Sequence, residues 1–145
     1  LMSNKFQFKK GQILYGKLRP YFKKVGIAPI DGICSTDILV LESKSQELFG
    51  FALFLTSSEK FTLYNEMVSI GTKMPRTDWD IMSIYPTIIP DSKTLKAFSK
   101  IIEPISSRIN NNILEIHNLY KIRNTLIPKL LSGEVNIEKM EQKIA

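Results

Sequence analysis

The sequence predicts an α+β fold in which a small mixed β-sheet with covering helices is followed by a long C-terminal coiled-coil helix. Three observations support this prediction. Short apolar and polar alternations fill the chain up to Leu41, helical spacing of apolar residues begins at Ser45, and a heptad repeat occupies the C-terminal third. We therefore divide the chain into a sheet-containing domain (1–91), a long helix (92–131) and a tail (132–145).

Three strands are predicted in the first part of the chain. Residues 6–8 and 13–15 alternate apolar with polar side chains or form short β-prone runs, and residues 33–41 are the longest such run. Segment 18–28 mixes basic and apolar residues around Pro20, which favours an edge strand or a loop because proline cannot donate to a sheet.

Two helices and a further strand are predicted before the long helix. Apolar residues crowd 48–55, residues 57–59 indicate a break with a new helix cap, and apolar side chains at three-residue spacing follow over 61–67. A loop over 69–80 then leads to a short strand at 85–89.

The long C-terminal segment contains a heptad seam. It has no glycine, and its apolar residues recur at alternating steps of four and three. A straight helix from Lys93 to Ile127 would be about 50 Å long, too long to bury its seam within so small a domain. We therefore expect pairing with a second helix, from the same polypeptide or from a second copy in a homodimer. The predicted pairing positions are Phe98, Ile102, Ile105, Ile109, Asn112, Ile116, Leu119, Arg123, Leu126 and Leu130.

Capping residues and prolines modify the long helix. Asp91 or Ser92 can cap its N-terminus. Pro104 removes a backbone donor, so we expect a kink near it, and Pro128 is expected to end or bend the last turn.

The positive charge is concentrated at the start of the chain. The formal net charge is +6, and residues 1–30 carry seven basic groups and no acid. Such a surface suits a polyanion such as duplex DNA, since each neutralised phosphate releases counterions. A lysine-rich edge that prevents strand aggregation is the structural alternative.

Catalytic, metal and cofactor signatures are missing. The single cysteine, Cys34, lies within a strand pattern, and the single histidine, His117, lies beside the helical seam. The segment around Gly71–Lys73 lacks the upstream glycine of a phosphate-binding loop. We predict no enzymatic activity, no cofactor and no metal. Without an apolar run long enough for a membrane span, a cytoplasmic protein is expected.

Two clusters could provide binding chemistry instead. In the first, aromatic residues interleave with cations, which provides phosphate contacts and surfaces for base edges. In the second, the loop from Ser69 to Thr77 supplies short donors and two cations around the flexible Gly71. The residues predicted to bind DNA are Tyr15, Lys17, Arg19, Tyr21, Lys23, Lys24, Thr72, Lys73, Arg76 and Thr77.

Four segments, in order, resemble the specificity subunit of type I restriction-modification systems. They are the stretches 15–21, 32–41 and 71–77, together with a C-terminal pattern that ends in 126–134. The resemblance implies a target-recognition domain that reads one half of a bipartite DNA site, joined to a conserved helix that pairs antiparallel with a second one. Methylation and cleavage are then expected in partner methyltransferase and restriction subunits, which use S-adenosylmethionine and ATP.

The sequence departs from the family pattern in two places. Members usually have a further N-terminal segment before the strand that corresponds to 13–15, so an N-terminally truncated recognition domain is expected. The proline-rich junction before the helix is replaced by Pro90–Lys93. A function from a different class stays open on the residues alone, namely a dimerisation adaptor with a basic surface for an acidic protein partner.

Overall fold

The computed structural model describes residues 4–135 and shows an α+β arrangement. Five strands, β1 (Lys5–Phe8), β2 (Ile13–Gly16), β3 (Val25–Ile27), β4 (Gly32–Ser35) and β5 (Ile38–Leu41), come first. Four helices follow within the described residues, namely α1 (Gln46–Ser57), α2 (Glu59–Met67), α3 (Trp79–Ser83) and α4 (Ser92–Leu131). The predicted fold class is confirmed.

The strands form two small antiparallel sheets. One sheet pairs β1 with β4, and the other has the order β3, β2, β5. The prediction of a single strand over residues 33–41 is wrong. The chain turns at Thr36 and Asp37 and passes from the first sheet to the second. All the described strand pairs are antiparallel, whereas the sequence predicted one mixed sheet.

The domain core lies between the second sheet and α2. Tyr15, Phe61 and Met82 are buried together, with Leu39 and Tyr85 among the half-buried side chains packed against them. The Phe61 ring meets the rings of Tyr15 and Tyr85 edge-on, at centroid distances of 6.0 and 5.0 Å. This geometry is favoured by the charge distribution of aromatic rings.

Segment 85–89 was predicted to be a strand, and the structure shows irregular backbone there. Tyr85 packs into the core, but Ile88 and Ile89 are exposed. Prolines at 86 and 90 remove two backbone donors that strand pairing would require. The short α3 begins at Trp79, within the last two residues of the loop predicted for 69–80, and the Asp78 side chain caps it by accepting from the Trp79 N–H at 2.7 Å.

The cap predictions for α2 and α4 are confirmed. Ser58 Oγ accepts from the Phe61 N–H at 3.3 Å. Asp91 Oδ1 accepts from the Thr94 N–H at 3.0 Å. The long helix continues through Pro104 and through Pro128, so the prediction that it could end at Pro128 is wrong. Gly133, with φ of 75°, follows its last residues in the left-handed conformation typical of helix ends.

The chain divides into two compact units, Leu1–Asn110 and Asn111–Ala145. Within the first unit, α1 and the first turns of α4 approach closely at Gly50, where an added Cβ would lie 3.3 Å from the Cβ of Ile102. Ser99 Oγ donates to the Glu47 carbonyl at 2.9 Å, and Gln46 Nε2 donates to Glu103 Oε1 at 2.8 Å. Of the tail predicted at 132–145, residues 136–145 lie outside the described part of the chain.

Candidate nucleic-acid interface

The basic segment between β2 and β3 is a tightly turned connection. A 3₁₀ turn, Pro20–Phe22, lies between Arg19 and Lys23, which have φ values of 52° and 49°. Positive φ is uncommon for residues other than glycine. These two residues flank the turn. Tyr21 and Phe22, which lie between them, are exposed, and their ring centroids are 4.7 Å apart.

The second predicted cluster is a closed loop between α2 and α3. Ile70 and Arg76 exchange two backbone hydrogen bonds of 3.0 Å each, and the residues between them form the loop. Gly71 adopts a φ of 105°, which a side chain would strain, and an added Cβ there would meet the Met74 carbonyl oxygen at 3.3 Å. Thr72, Lys73 and Met74 at the tip are exposed.

Backbone pairing joins the two clusters into one surface. The Arg19 N–H donates to the Pro75 carbonyl at 2.7 Å, and the Thr77 N–H donates to the Lys17 carbonyl at 3.2 Å. Leu18 and Arg76 form an antiparallel bridge between these bonds. Segments more than fifty residues apart in sequence are therefore adjacent, an arrangement that neither cluster indicates by itself.

An ion pair attaches the loop to Asp37, the residue immediately before β5 of the second sheet. Arg76 Nε donates to Asp37 Oδ1 at 2.9 Å and its Nη2 donates to Oδ2 at 3.4 Å. The hydrogen bond from Arg76 holds the pKa of the Asp37 carboxyl below its usual value. A lowered folded-state pKa means that the carboxylate stays ionised on acidification until the pH falls through that lowered value, so the pair persists at neutral and mildly acidic pH.

Several predicted contact residues have other roles in the structure. Tyr15 and Thr77 are only 2% exposed, so neither side chain lies on a surface that DNA could reach. Tyr15 faces inward because strand alternation places it with Ile13 on the buried face of β2. Burial raises the pKa of the Tyr15 phenol to about 12.

The cations differ in their availability. Lys17 is mostly covered and its Nζ lies 3.8 Å from Asp78, and the exposed Lys23 lies 4.0 Å from Glu59. Lys24 is exposed above the Phe22 ring, at 5.9 Å from its centroid. Lys73 is exposed at the loop tip, with no carboxylate within ion-pair distance among residues 4–135. Arg19 Nε is buried and lacks a hydrogen-bond partner in the described residues.

A buried amide fixes the end of the loop. Asn65 is fully buried, its Nδ2 donates to the Phe61 carbonyl at 2.8 Å, and its Oδ1 accepts from Thr77 Oγ1 at 2.6 Å. Neither Asn65 nor Asp37 is among the site residues predicted from the sequence. For Asp37 the signal was present, since Ser35, Thr36 and Asp37 are turn-forming residues inside an otherwise apolar run.

Replacing Asn65 with leucine is expected to lower the free energy of unfolding by about 1–3 kcal/mol, because Thr77 Oγ1 and the Phe61 carbonyl lose a partner inside the protein. Urea unfolding followed by the fluorescence of Trp79, the single tryptophan, measures this effect. Glu66→Leu at the exposed neighbouring position is the control, and an equal effect of both substitutions would contradict the role of Asn65.

The predicted helix-pairing residues fall into two groups. Phe98 and Ile102 are half-buried against α1, where the Phe98 ring lies edge-on to Phe54 at 5.6 Å, so these two side chains contribute to the domain itself. The others are exposed in the single chain, with Ile105, Ile109, Ile116 and Leu119 all more than half accessible. Asn112, Arg123, Leu126 and Leu130 complete this exposed set.

Residues 4–135 contain a cleft but no cluster of metal-ligating side chains. One cleft of about 540 Å³ lies beside Gln46 and Glu103, and its lining contains neither cysteine nor histidine. No group of three or more histidine, cysteine or acidic side chains is placed to hold a metal ion in this part of the chain. None of the described helices combines the length and apolar character that crossing a membrane requires.

The fold and the site define a small α+β domain with a basic surface, continued by a long amphipathic helix. No protein-family model matches the chain. Over 143 residues it is 29% identical to the specificity subunit of the type I restriction enzyme EcoDI of Escherichia coli, which covers 94% of this chain and 31% of that protein. Over 121 residues it is 28% identical to the specificity subunit of the type I restriction enzyme MjaIX of Methanocaldococcus jannaschii, covering 81% of this chain and 27% of that protein.

These similarities confirm the resemblance to specificity subunits of type I restriction enzymes. The chain spans less than a third of the length of either relative.

Proposed function

We propose that this chain is a sequence-specific DNA-recognition module of a type I restriction-modification complex and has no catalytic activity of its own. The observation that carries the proposal is the joining of the basic segment and the loop 70–76 into one surface by the Arg19–Pro75 and Thr77–Lys17 backbone hydrogen bonds. The relatives, which are named as specificity subunits of type I restriction enzymes, support the same assignment.

The surface offers both kinds of contact that DNA recognition needs. Lys23, Lys24 and Lys73 are exposed cations that can neutralise phosphates, and this attraction is independent of sequence. Thr72 and the exposed aromatic pair Tyr21 and Phe22 can meet base edges or sugar. The buried Tyr15 and Thr77 hold the surface in place.

The proposed assembly places further activities in other chains. The chain would read one half of a bipartite target, and a methyltransferase subunit and a restriction subunit would supply methylation and cleavage. The exposed seam of α4 would pair with a second helix, in the simplest case from a second copy, and the length of the helix would set the distance between half-sites. For this chain alone, the expected ligand is double-stranded DNA without a cofactor.

Replacing Lys24 and Lys73 together with alanine is expected to weaken binding to all duplexes and to reduce the slope of log K against log salt by about 2, since each lost phosphate contact removes about one unit. Fluorescence anisotropy titrations of a labelled duplex at several salt concentrations measure both quantities.

The matched control replaces Lys93 and Lys100 with alanine, which removes the same charge from exposed positions on α4. The control should retain most of the slope. An identical slope for the wild-type chain and the Lys24/Lys73 variant would exclude this surface as the DNA contact. A chain that binds no duplex even at low salt would exclude the function itself.

A further inference from the structure

The geometry points to two roles within the loop: Thr72 and Lys73 at its tip contact the DNA, and the Asp37–Arg76 pair at its base positions that tip. This inference rests on the proposed DNA-recognition function and refines it. It assigns Arg76, which the sequence suggested as a DNA contact, to holding the loop. It also gives an acidic residue, Asp37, a role in recognising a polyanion.

The loop has a fixed base and an exposed tip. Its base is closed by the two 3.0 Å hydrogen bonds between Ile70 and Arg76, and Thr77, the next residue along the chain, anchors that base because its buried hydroxyl donates to Asn65. Gly71 has a φ of 105°, which glycine adopts without strain, and the turn is narrow enough that a Cβ at this position would meet the Met74 carbonyl oxygen at 3.3 Å. A preorganised loop loses less conformational entropy when it binds.

Asp37 ties the loop base to the domain through two different groups. Its carboxylate accepts from Arg76, and its backbone carbonyl accepts from the Lys17 N–H at 2.8 Å. The carbonyl of Lys17 in turn accepts from the Thr77 N–H. The residue on the turn between β4 and β5 therefore fixes both the basic segment and the loop. Asp37 and Arg76 take part in this network through side-chain groups, so a substitution at either position can remove the ion pair while the backbone hydrogen bonds remain.

The guanidinium of Arg76 is already engaged. It directs two of its nitrogens at the two oxygens of Asp37, at 2.9 and 3.4 Å. A two-point contact of this kind is the same geometry that arginine uses to read guanine, so Arg76 cannot make both contacts with the same edge. Lys73, which lacks a nearby carboxylate among the described residues, has no such competing partner.

Replacing Asp37 distinguishes a positioning role from a purely electrostatic one, because the two roles predict different changes in DNA binding. Removing a negative charge from a DNA-binding surface strengthens binding to any duplex through simple electrostatics. Releasing the loop tip instead weakens the preference for the correct sequence. Asp37→Asn should therefore leave non-specific affinity unchanged or increased, while the ratio of affinities for the preferred and a shuffled duplex falls about tenfold.

The test uses the full chain and a preferred duplex selected from a randomised pool. Anisotropy titrations compare Asp37→Asn, Arg76→Ala and the double variant on the preferred and shuffled duplexes. If the pair acts as one device, the double variant loses no more discrimination than either single variant. Asp37→Glu, which keeps the charge, should recover part of the preference. Asp80→Asn, which removes an exposed acid from the start of α3, is the matched control and should keep full discrimination.

Two results would overturn the inference. Arg76→Ala could reduce the salt slope by about one unit as Lys73→Ala is expected to do, which would make Arg76 a phosphate contact. Alternatively, Asp37→Asn could leave discrimination intact. A variant that does not fold is recognised by the loss of the Trp79 fluorescence transition. If Asp37→Asn does not fold, Asp37→Glu is compared with the wild-type chain in its place.

A measurement without DNA separates failure of the pair from failure of the proposed function. Trypsin cleavage at the Lys73–Met74 bond, followed by mass spectrometry, should be several-fold faster in Asp37→Asn than in the wild-type chain or in Asp80→Asn, because a released tip fits the protease more readily. Unchanged cleavage would show that the pair does not hold the loop, whatever the chain binds. If Asp37→Asn is cleaved faster but the chain binds no DNA, the pair does hold the loop, and the proposed DNA-recognition function is wrong.

Discussion

Replacing Ile116 with aspartate is expected to abolish pairing of the long helix. Ile116 occupies an a position of the seam and is 52% exposed in the single chain, so its remaining surface is available for burial in a partner. Because about half of each isoleucine remains to be buried, losing it from two chains removes about 1.5–3 kcal/mol of apolar burial per dimer, and two unpaired carboxylates add to this cost. Sedimentation velocity over a range of protein concentrations should show a dimer for the wild-type chain and a monomer for the variant.

The control for this substitution is Asn118→Asp, which adds the same charge two residues away at a c position outside the seam. It should sediment like the wild-type chain. A monomeric wild-type chain at all concentrations would contradict homodimer formation and leave a helix of another polypeptide as the partner. Equal dimerisation of wild type and Ile116→Asp would contradict the seam itself.

The exposed apolar face of α4 is wider than the predicted seam. Ile113, Tyr120 and Ile127 each follow a d position and are 45%, 53% and 47% exposed. Apolar residues at a, d and e positions are typical of a helix in a bundle, whereas a two-stranded coil needs a and d alone. The polar residue Arg123 lies across the Tyr120 ring of its own helix, at 4.7 Å from the centroid.

The long helix could be predicted because its signal is local. A heptad repeat, the absence of glycine and a capping aspartate are all contained within the segment that they describe. The sequence did not indicate that the first residues of the seam pack within the domain while the others stay exposed. Phe98 and Ile102 obey the repeat, but they pack against α1 because Gly50 allows a close approach, and that contact joins residues about fifty positions apart.

Strand boundaries were harder to predict because pairing partners are distant. The run 33–41 has the composition of one strand, yet its first half pairs with β1 and its second half with β2. A change of sheet leaves only a weak local trace, here three turn-forming residues. The prediction of a strand at 85–89 failed for a different reason, since Pro86 within the segment and Pro90 after it cannot donate backbone hydrogen bonds to a neighbouring strand.

The candidate site was predicted as two clusters and is one surface in the structure. Composition identifies the basic segment and the polar loop, but only the long-range hydrogen bonds of Arg19 and Thr77 bring them together. The alternation of side chains along β2 could have excluded Tyr15 from the predicted DNA contacts, because Ile13 and Tyr15 lie on the same face of the strand. Nothing local distinguishes Asn65, whose importance depends on complete burial.

Phe61→Ala is expected to have the largest effect on the stability of the domain. The side chain is 3% exposed and joins α2 to two other parts of the core, through edge-on contacts with Tyr15 on β2 and with Tyr85 after α3. Truncating a buried phenylalanine costs about 3–5 kcal/mol, because apolar burial is lost and a cavity remains. Trp79 fluorescence during urea unfolding reports on this part of the chain, since Trp79 begins the helix that places Met82 in the same core.

Leu63→Ala provides the matched control on the same helix. Leu63 is 51% exposed, so its truncation should change the free energy of unfolding by less than about 1 kcal/mol. Both substitutions introduce alanine into α2, so their difference isolates the burial of Phe61 from helix propensity. Equal midpoints for the two variants would show that Phe61 does not organise the core, and the contacts that fix Tyr15 beneath the basic surface would then need another source.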